Sequence, residues 1–252
     1  MDGTPFFTDS GGEGVPLVLL HGFAATGAAW APVLDQLPRD LRTLVPDLSG
    51  HGKSAHLPIG GGTRGMAVLV LEVLATLGID RAHFCGHSMG GAIACLAALA
   101  KPQCVASLTL LAPGAFGREI NAGLLRRFAV ASSRESLLPL IEQFYGSATA
   151  VGEEAVQSLL ADRMRPDSGR IHSAIAERIL DGEGQKTLPL GEIARLEIPV
   201  KLVWGKEDRI TPASQAACVP DVFDVHLLDN VGHSLIDEIP GAIVHLILEN
   251  MR

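Results

Sequence analysis

Short apolar runs rich in β-branched and aromatic residues alternate along the chain with stretches whose apolar positions recur at helical spacing. Strands are expected at Phe6–Thr8, Leu17–Leu20, Thr43–Val45, Ala82–Cys85, Leu108–Leu111, Lys201–Trp204 and Val222–Leu227. Helices are expected near Trp30–Gln36, Met66–Leu77, Met89–Ala100, Ala213–Ala217 and Gly241–Asn250. This alternation is the signature of βαβ units around a mostly parallel sheet with helices on both faces. From about Ala115 to Leu190 the rhythm breaks: the pattern turns helical and polar, with no convincing strand. The chain therefore divides into an α/β core, residues 1–114 and 191–252, and a helical insertion, residues 115–190. An all-helical insertion between two sheet strands reads as a cap over the strand ends. The plainer alternative is scaffold that covers apolar surface without gating anything.

Composition narrows the class. At 252 residues, with 47% hydrophobic and 19% charged residues, one sheet buried on both faces plus an insertion accounts for the chain, and global disorder is excluded. The net charge of -8 argues against a nucleic-acid partner, because phosphate contacts need clustered Lys and Arg. Arg126-Arg127 stands alone and reads as a solvated face. The longest apolar run, Ala92–Ala100, is stopped by Lys101-Pro102, far short of the ~18 residues that suggest a membrane span. The start, MDGTPFFTDSGGEG, has neither the basic nor the apolar region of a signal peptide. The four cysteines are isolated, which fits buried thiols in a reducing compartment. A cytoplasmic location follows as the expectation. None of the nine histidines forms an HxH, HxxEH or HExxH grouping, so no metal and no cofactor is expected.

The chemistry concentrates in three loops. Gly86-His87-Ser88-Met89-Gly90 directly follows the strand AHFC and precedes the helical run GAIACLAALA, the strand-turn-helix context that gives a GxSxG match its meaning. A sharp turn there lifts the Ser88 hydroxyl clear of the sheet and leaves room for little beyond hydrogen at Gly86 and Gly90. A serine hydroxyl is a weak nucleophile at neutral pH and needs a base, with a third group to orient that base. His233, in the loop after the last strand, is the candidate base. His226 and His245 lie inside regular elements, and His21, His51 and His87 are better explained by local hydrogen bonding or packing. Asp208, after the strand KLVW, is the candidate orienting acid, ahead of Asp47, Glu207, Asp229 and Asp237. The backbone amides of Phe23 and Met89 are candidate donors to the oxyanion that develops in acyl transfer.

Five blocks in order, VLLHGF, VPDLSGHGKS, GHSMGG, LVWGKEDRITP and NVGHS, make the chain resemble an α/β-hydrolase-fold protein over nearly its whole length. Within that superfamily, ASLTLLAPGAFGREINAGLLRRF is most similar to the hydrolase-like domain of bacterial acetoin dehydrogenase E2 components. The resemblance implies Ser88 as nucleophile, a triad with Asp208 and His233, and association with a 2-oxo acid dehydrogenase-type complex. The sequence also departs from these relatives. Only one short strand precedes VPLVLL, where the family usually has a longer pair, and all five lysines lie within the hydrolase pattern, so no lipoyl-bearing lysine is evident. The HxxxDG motif of E2 acyltransferases is absent as well.

Three readings follow. The first is a serine hydrolase cleaving a small ester, thioester or related carbonyl compound through an acyl-enzyme on Ser88. The second is an acyltransferase that delivers the same acyl group to another acceptor. The third is a binding subunit that keeps the triad without turnover. A homo-oligomer is compatible with all three. Phe116, Phe128, Phe144, Tyr145 and Met164 of the insertion suggest an apolar pocket, although helix packing alone explains most such residues.

Overall fold

A computed structural model describes residues 3–252. Seven strands form one sheet: β1 (Phe7–Asp9), β2 (Glu13–Leu20), β3 (Leu41–Pro46), β4 (Ala82–His87), β5 (Val105–Leu111), β8 (Val200–Gly205) and β9 (Asp224–Leu228). Their spatial order is β1-β3-β2-β4-β5-β8-β9. Only β1 runs antiparallel to its neighbour; every other pairing is parallel. All seven strands expected from the sequence are present, with ends displaced by a few residues.

The central strands are near-continuous apolar runs because helices cover both faces. Ser107 to Leu111 of β5 are buried without alternation. The helix α3 (Met89–Ala100) packs on α2 (Gly62–Thr76), on β4 and on β5, while α10 (Pro240–Asn250) packs on β5, on α1 (Ala31–Leu34) and on α9 (Leu235–Glu238). The α3 sequence MGGAIACLAALA is apolar all round, as a helix enclosed between sheet and second helix must be. Trp30–Gln36, expected as one helix, is a 3-10 turn at Gly27–Trp30 followed by α1, and Ala213–Cys218 is 3-10 throughout.

Between β5 and β8 lie α4 (Ala122–Val130), α5 (Arg134–Ile141), α6 (Glu153–Arg163), α7 (Ser168–Ile179) and α8 (Leu190–Ala194). Asn121 caps α4 by accepting from Leu124 N at 3.0 Å, and Ser133 and Ser136 form a reciprocal capping box on α5. The sequence shows no strand here, but the structure contains a hairpin of β6 (Leu180–Asp181) and β7 (Gly184–Gln185). Two-residue strands carry no period-2 pattern, and only the turn glycine Gly182, at φ 65°, signals them.

Two smaller expectations change. Cys85 and Cys95 are buried, but Cys104 is half-buried and Cys218 exposed. Arg126 is not merely solvated, since it pairs with Glu177 at 3.0 Å and Glu183 at 2.9 Å, linking α4 to α7 and the hairpin. Among the described residues no helix is long and apolar enough to cross a membrane.

Candidate active site

The turn between β4 and α3 holds Ser88 at φ 53°, ψ -116°, a backbone conformation that a non-glycine residue adopts only under constraint. Three hydrogen bonds supply the constraint. Ser88 N donates to Leu111 O at 2.9 Å, and Ser88 O accepts from Gly91 N at 3.0 Å and Gly114 N at 2.9 Å. A Cβ on Gly86 would strike the Gly90 carbonyl, and one on Gly90 would strike the Leu20 carbonyl. Glycine at these positions lets β2, β4 and α3 meet backbone to backbone beneath the serine.

Asp208 stands past the end of β8 and is buried. Its Oδ1 accepts from the amides of Ile210 (2.8 Å) and Thr211 (3.0 Å). Its Oδ2 accepts from Trp204 Nε1 (3.0 Å), Thr211 Oγ1 (3.1 Å) and His233 Nδ1 (2.7 Å). Burial pushes this carboxyl up, but His233 and the two amides outweigh it and hold the group below its ordinary value. With Nδ1–H committed to Asp208, the free lone pair of His233 is on Nε2. His233 is itself seated by its amide, which donates to Phe144 O at 2.6 Å. Ser88 and His233 line one cavity, yet among the described residues no hydrogen bond joins the hydroxyl to the imidazole. In unliganded sites such bonds are commonly long and tighten with substrate.

The other carboxylates are engaged elsewhere. Asp47 accepts from Gly27 N and Lys53 N, both at 2.8 Å, and so fixes its own loop. Glu207 binds the amide and hydroxyl of Ser147, Asp229 pairs with Lys206, and Asp237 accepts from the Tyr145 hydroxyl at 2.8 Å.

Neither the Met89 nor the Phe23 amide donates to a protein acceptor among the described residues. Met89 is the first residue of α3, where an N–H has no partner within its own helix. Phe23 is brought alongside by Gly22, whose Cβ position lies 3.4 Å from Ser88 Cβ. Two buried histidines fix that loop. His21 Nδ1 donates to Gly22 O at 2.8 Å while its Nε2 accepts from Leu48 N at 3.0 Å, and His51 Nε2 accepts from Ala24 N at 3.1 Å. Burial pushes both imidazoles down, so they are neutral at ordinary pH. His87 donates from Nε2 to His233 O at 2.7 Å, and burial together with the nearby His233 pushes it down to about 3.

Sequence reasoning missed the residues that the helical segment adds. His172 stacks on His51 with ring centroids 5.3 Å apart, and its Nε2 lies 3.3 Å from Asp162 Oδ2, without hydrogen-bond geometry. Arg163, buried against the Phe128 ring, donates to Ala24 O and Phe128 O, both at 3.3 Å. These contacts span 110 or more positions in sequence or join two helices, so no local pattern announces them.

The cavity above Ser88 has a volume of about 560 Å³, with Phe23, Leu125, Phe128, Ile141 and Phe144 on its walls. Of the five insertion residues singled out from the sequence, Phe128, Phe144 and Tyr145 line it. Phe116 packs instead against Trp204 and Phe223, and Met164 is 84% exposed.

The alpha/beta hydrolase fold family matches residues 15–238. The dihydrolipoyllysine-residue acetyltransferase component of the acetoin cleaving system is 31% identical over 90% of this chain in Cupriavidus necator and 34% identical over 88% in Pseudomonas putida. The chain spans 61% and 60% of those relatives' lengths. The solved structure of carboxylesterase CesB from Bacillus subtilis superposes with a TM-score of 0.81 at 21% identity, covering 97% of this chain and 86% of that one. By the extent of the family match and by its sheet order, the chain belongs to the alpha/beta hydrolase fold family.

Proposed function

We propose that the protein is a serine hydrolase that cleaves a small ester, thioester or related carbonyl compound through an acyl-enzyme on Ser88. The observation that carries this reading is the strained Ser88 turn, which faces the same cavity as a His233 whose Nδ1 is fixed by Asp208 at 2.7 Å. In the reaction Ser88 Oγ attacks the substrate carbonyl carbon and its proton passes to His233 Nε2. The amides of Phe23 and Met89 stabilise the oxyanion, and the leaving group departs with the proton from Nε2. Water then attacks the acyl-enzyme by the same route and frees Ser88. The helical segment 115–190 acts as a cap whose apolar side chains exclude bulk water from the acyl group.

The test is labelling with a fluorophosphonate, followed by turnover of short-chain acyl esters and thioesters. Label on Ser88, lost in Ser88→Ala with the circular dichroism spectrum retained, is the expected result. Label persisting on another serine of the variant overturns the assignment, and a folded protein that neither labels nor turns over is a binding subunit.

The acetoin-system relatives favour a second reading, acyl transfer to a thiol or alcohol in place of water. Turnover that rises with added acceptor, at constant ester, distinguishes transfer from hydrolysis.

A further inference from the structure

Ser88 also borders a second, smaller cavity of about 70 Å³, and Phe23, Leu125 and Ile210 line both cavities with it. At roughly 10–15 Å³ of such space per water, this has room for about five waters, or for one small charged group. The two cavities differ in sign. The large one is lined by Asp35, Glu154, Asp162 and Asp237 and by no lysine or arginine. The small one is lined by Arg178 and Lys186 and by no carboxylate.

In the helical segment Arg118, Arg126, Arg134, Arg165 and Arg170 each have a carboxylate partner. Of the nine lysines and arginines of that segment, Arg127, Arg163, Arg178 and Lys186 have no ion-pair partner among the described residues, and of these four only Arg178 and Lys186 line the small cavity. Both are held in place through backbone carbonyls. Lys186 Nζ donates to Arg178 O at 2.9 Å, and Arg178 Nη1 donates to Ala174 O at 2.8 Å. The backbone adds a further tie, from Lys186 N to Ile179 O at 3.2 Å. Each side chain retains donors not used in these bonds, since a guanidinium carries five N–H groups and an ammonium three. In a chain of net charge -8, two exposed cations without an ion-pair partner among the described residues thus line a cavity that Ser88 also lines.

We propose that Arg178 and Lys186 form a carboxylate-accepting subsite, so that the substrate is an ester or thioester with an apolar part in the large cavity and an anionic end in the small one. The proposal rests on the serine-hydrolase reading and narrows it to acidic substrates. The carboxylate can belong to the acyl group or to the leaving alcohol, and the experiment has one arm for each. In the first, a hemisuccinate ester is compared with its methyl-capped neutral counterpart; in the second, a butanoyl ester of glycolate is compared with that of glycolamide.

In one arm kcat/KM favours the charged member by about tenfold, the scale of two solvent-exposed charge-assisted contacts, and the preference resides in KM. Arg178→Gln and Lys186→Gln each shrink that ratio, and Arg178→Lys restores part of it. Binding of the same pairs to Ser88→Ala, followed by calorimetry, gives a readout independent of turnover. Turnover without charge preference in either arm, or a preference that survives in the double Gln variant, overturns the subsite. Charge-selective binding lost in Arg178→Gln, with no ester turned over by the wild type, supports the subsite and overturns the hydrolytic reading instead.

Discussion

The turns at the carboxyl ends of the strands and the helical segment between β5 and β8 share the cavity but are built by different means. Around Ser88 the constraints are backbone against backbone: Gly86 lies on Gly90, Gly90 on Leu20, and Ser88 is tied to Leu111 and Gly114. No side chain has to be chosen for those contacts except the absence of one. The helical segment is held by side chains, and its exposed ion pairs, such as Arg134 with Glu153, contribute little. It is nevertheless fixed to the core near its middle. Phe144 O accepts from the amides of both His233 and Ser234, and Glu238 accepts from Gly146 N and Gly232 N. The turn after α5 thus seats the His233 loop, while Leu159 and Asp162 of α6 line the cavity.

The comparison is tested most severely at the junction of the two regions, the Asp208–His233 pair. Five donors converge on the two Asp208 oxygens, from Trp204, Ile210, Thr211 (amide and hydroxyl) and His233. Asn at this position presents an amide N–H₂ to donors on every side. Asp208→Asn therefore favours the wrong tautomer of His233 and lowers kcat for ester cleavage by on the order of 10⁴, as in the serine protease precedent. Near-normal kcat in this variant, with a large loss in Asp47→Asn or Asp229→Asn, moves the orienting role to that residue.

A smaller effect separates the regions by stability. Gly90→Ala drives a methyl group into the Leu20 carbonyl and is expected to cost about 3 kcal/mol, the upper end for overpacking. Gly123, exposed in α4, has nothing within 4 Å of its Cβ position, so Gly123→Ala is expected to stabilise by up to ~1 kcal/mol through helix propensity. Urea denaturation of both variants measures the contrast. A Gly90→Ala protein as stable as the wild type breaks the account of the turn.

The same contrast explains what could be read in advance. The strands and GHSMG are local signals: a β-rich run, a turn with glycines at fixed offsets, and a helical run follow one another within some twenty residues. The loops of Asp208 and His233 are legible for the same reason, because each comes directly after a strand of the parallel sheet. Contacts of the helical segment with the core are not local. Asp162 receives Gly52 N from 110 residues away, and Arg163 reaches Ala24 O across 139. An amphipathic helix shows that it has an apolar face but not which loop that face meets. The same limit hid the stacking of His172 on His51, the pairing of Arg126 with two glutamates and the exposure of Cys218.

The smallest expected effect uses two carboxylates on the wall of the large cavity, Asp162 from the helical segment and Asp237 from the core. Burial pushes Asp162 up, but the His172 contact and the Arg165 guanidinium, 2.7 Å away, outweigh it and hold the group down to about 2. Burial also pushes Asp237 up, and the single hydrogen bond from Tyr145 does not offset it, so this group lies above its ordinary value of 3.8. The two therefore have opposite linkage to folding. Between pH 3.8 and about 2 the unfolded chain holds more protons at Asp162 than the folded one. Its stabilising contribution is thus complete above the unfolded value and is lost as pH falls through the folded one. At Asp237 the folded chain holds more protons above pH 3.8, so stability declines as pH rises through the raised value. Thermal denaturation between pH 2 and 6 reads both. The wild type's advantage over Asp162→Asn shrinks as pH falls toward 2, whereas Asp237→Asn gains on the wild type as pH rises from 3.8. If both variants run parallel to the wild type across that range, these carboxylates do not differ in environment between folded and unfolded chains. In that case the Asp162 carboxylate, which accepts from Gly52 N at 3.0 Å, does not tie α6 to the core through its charge.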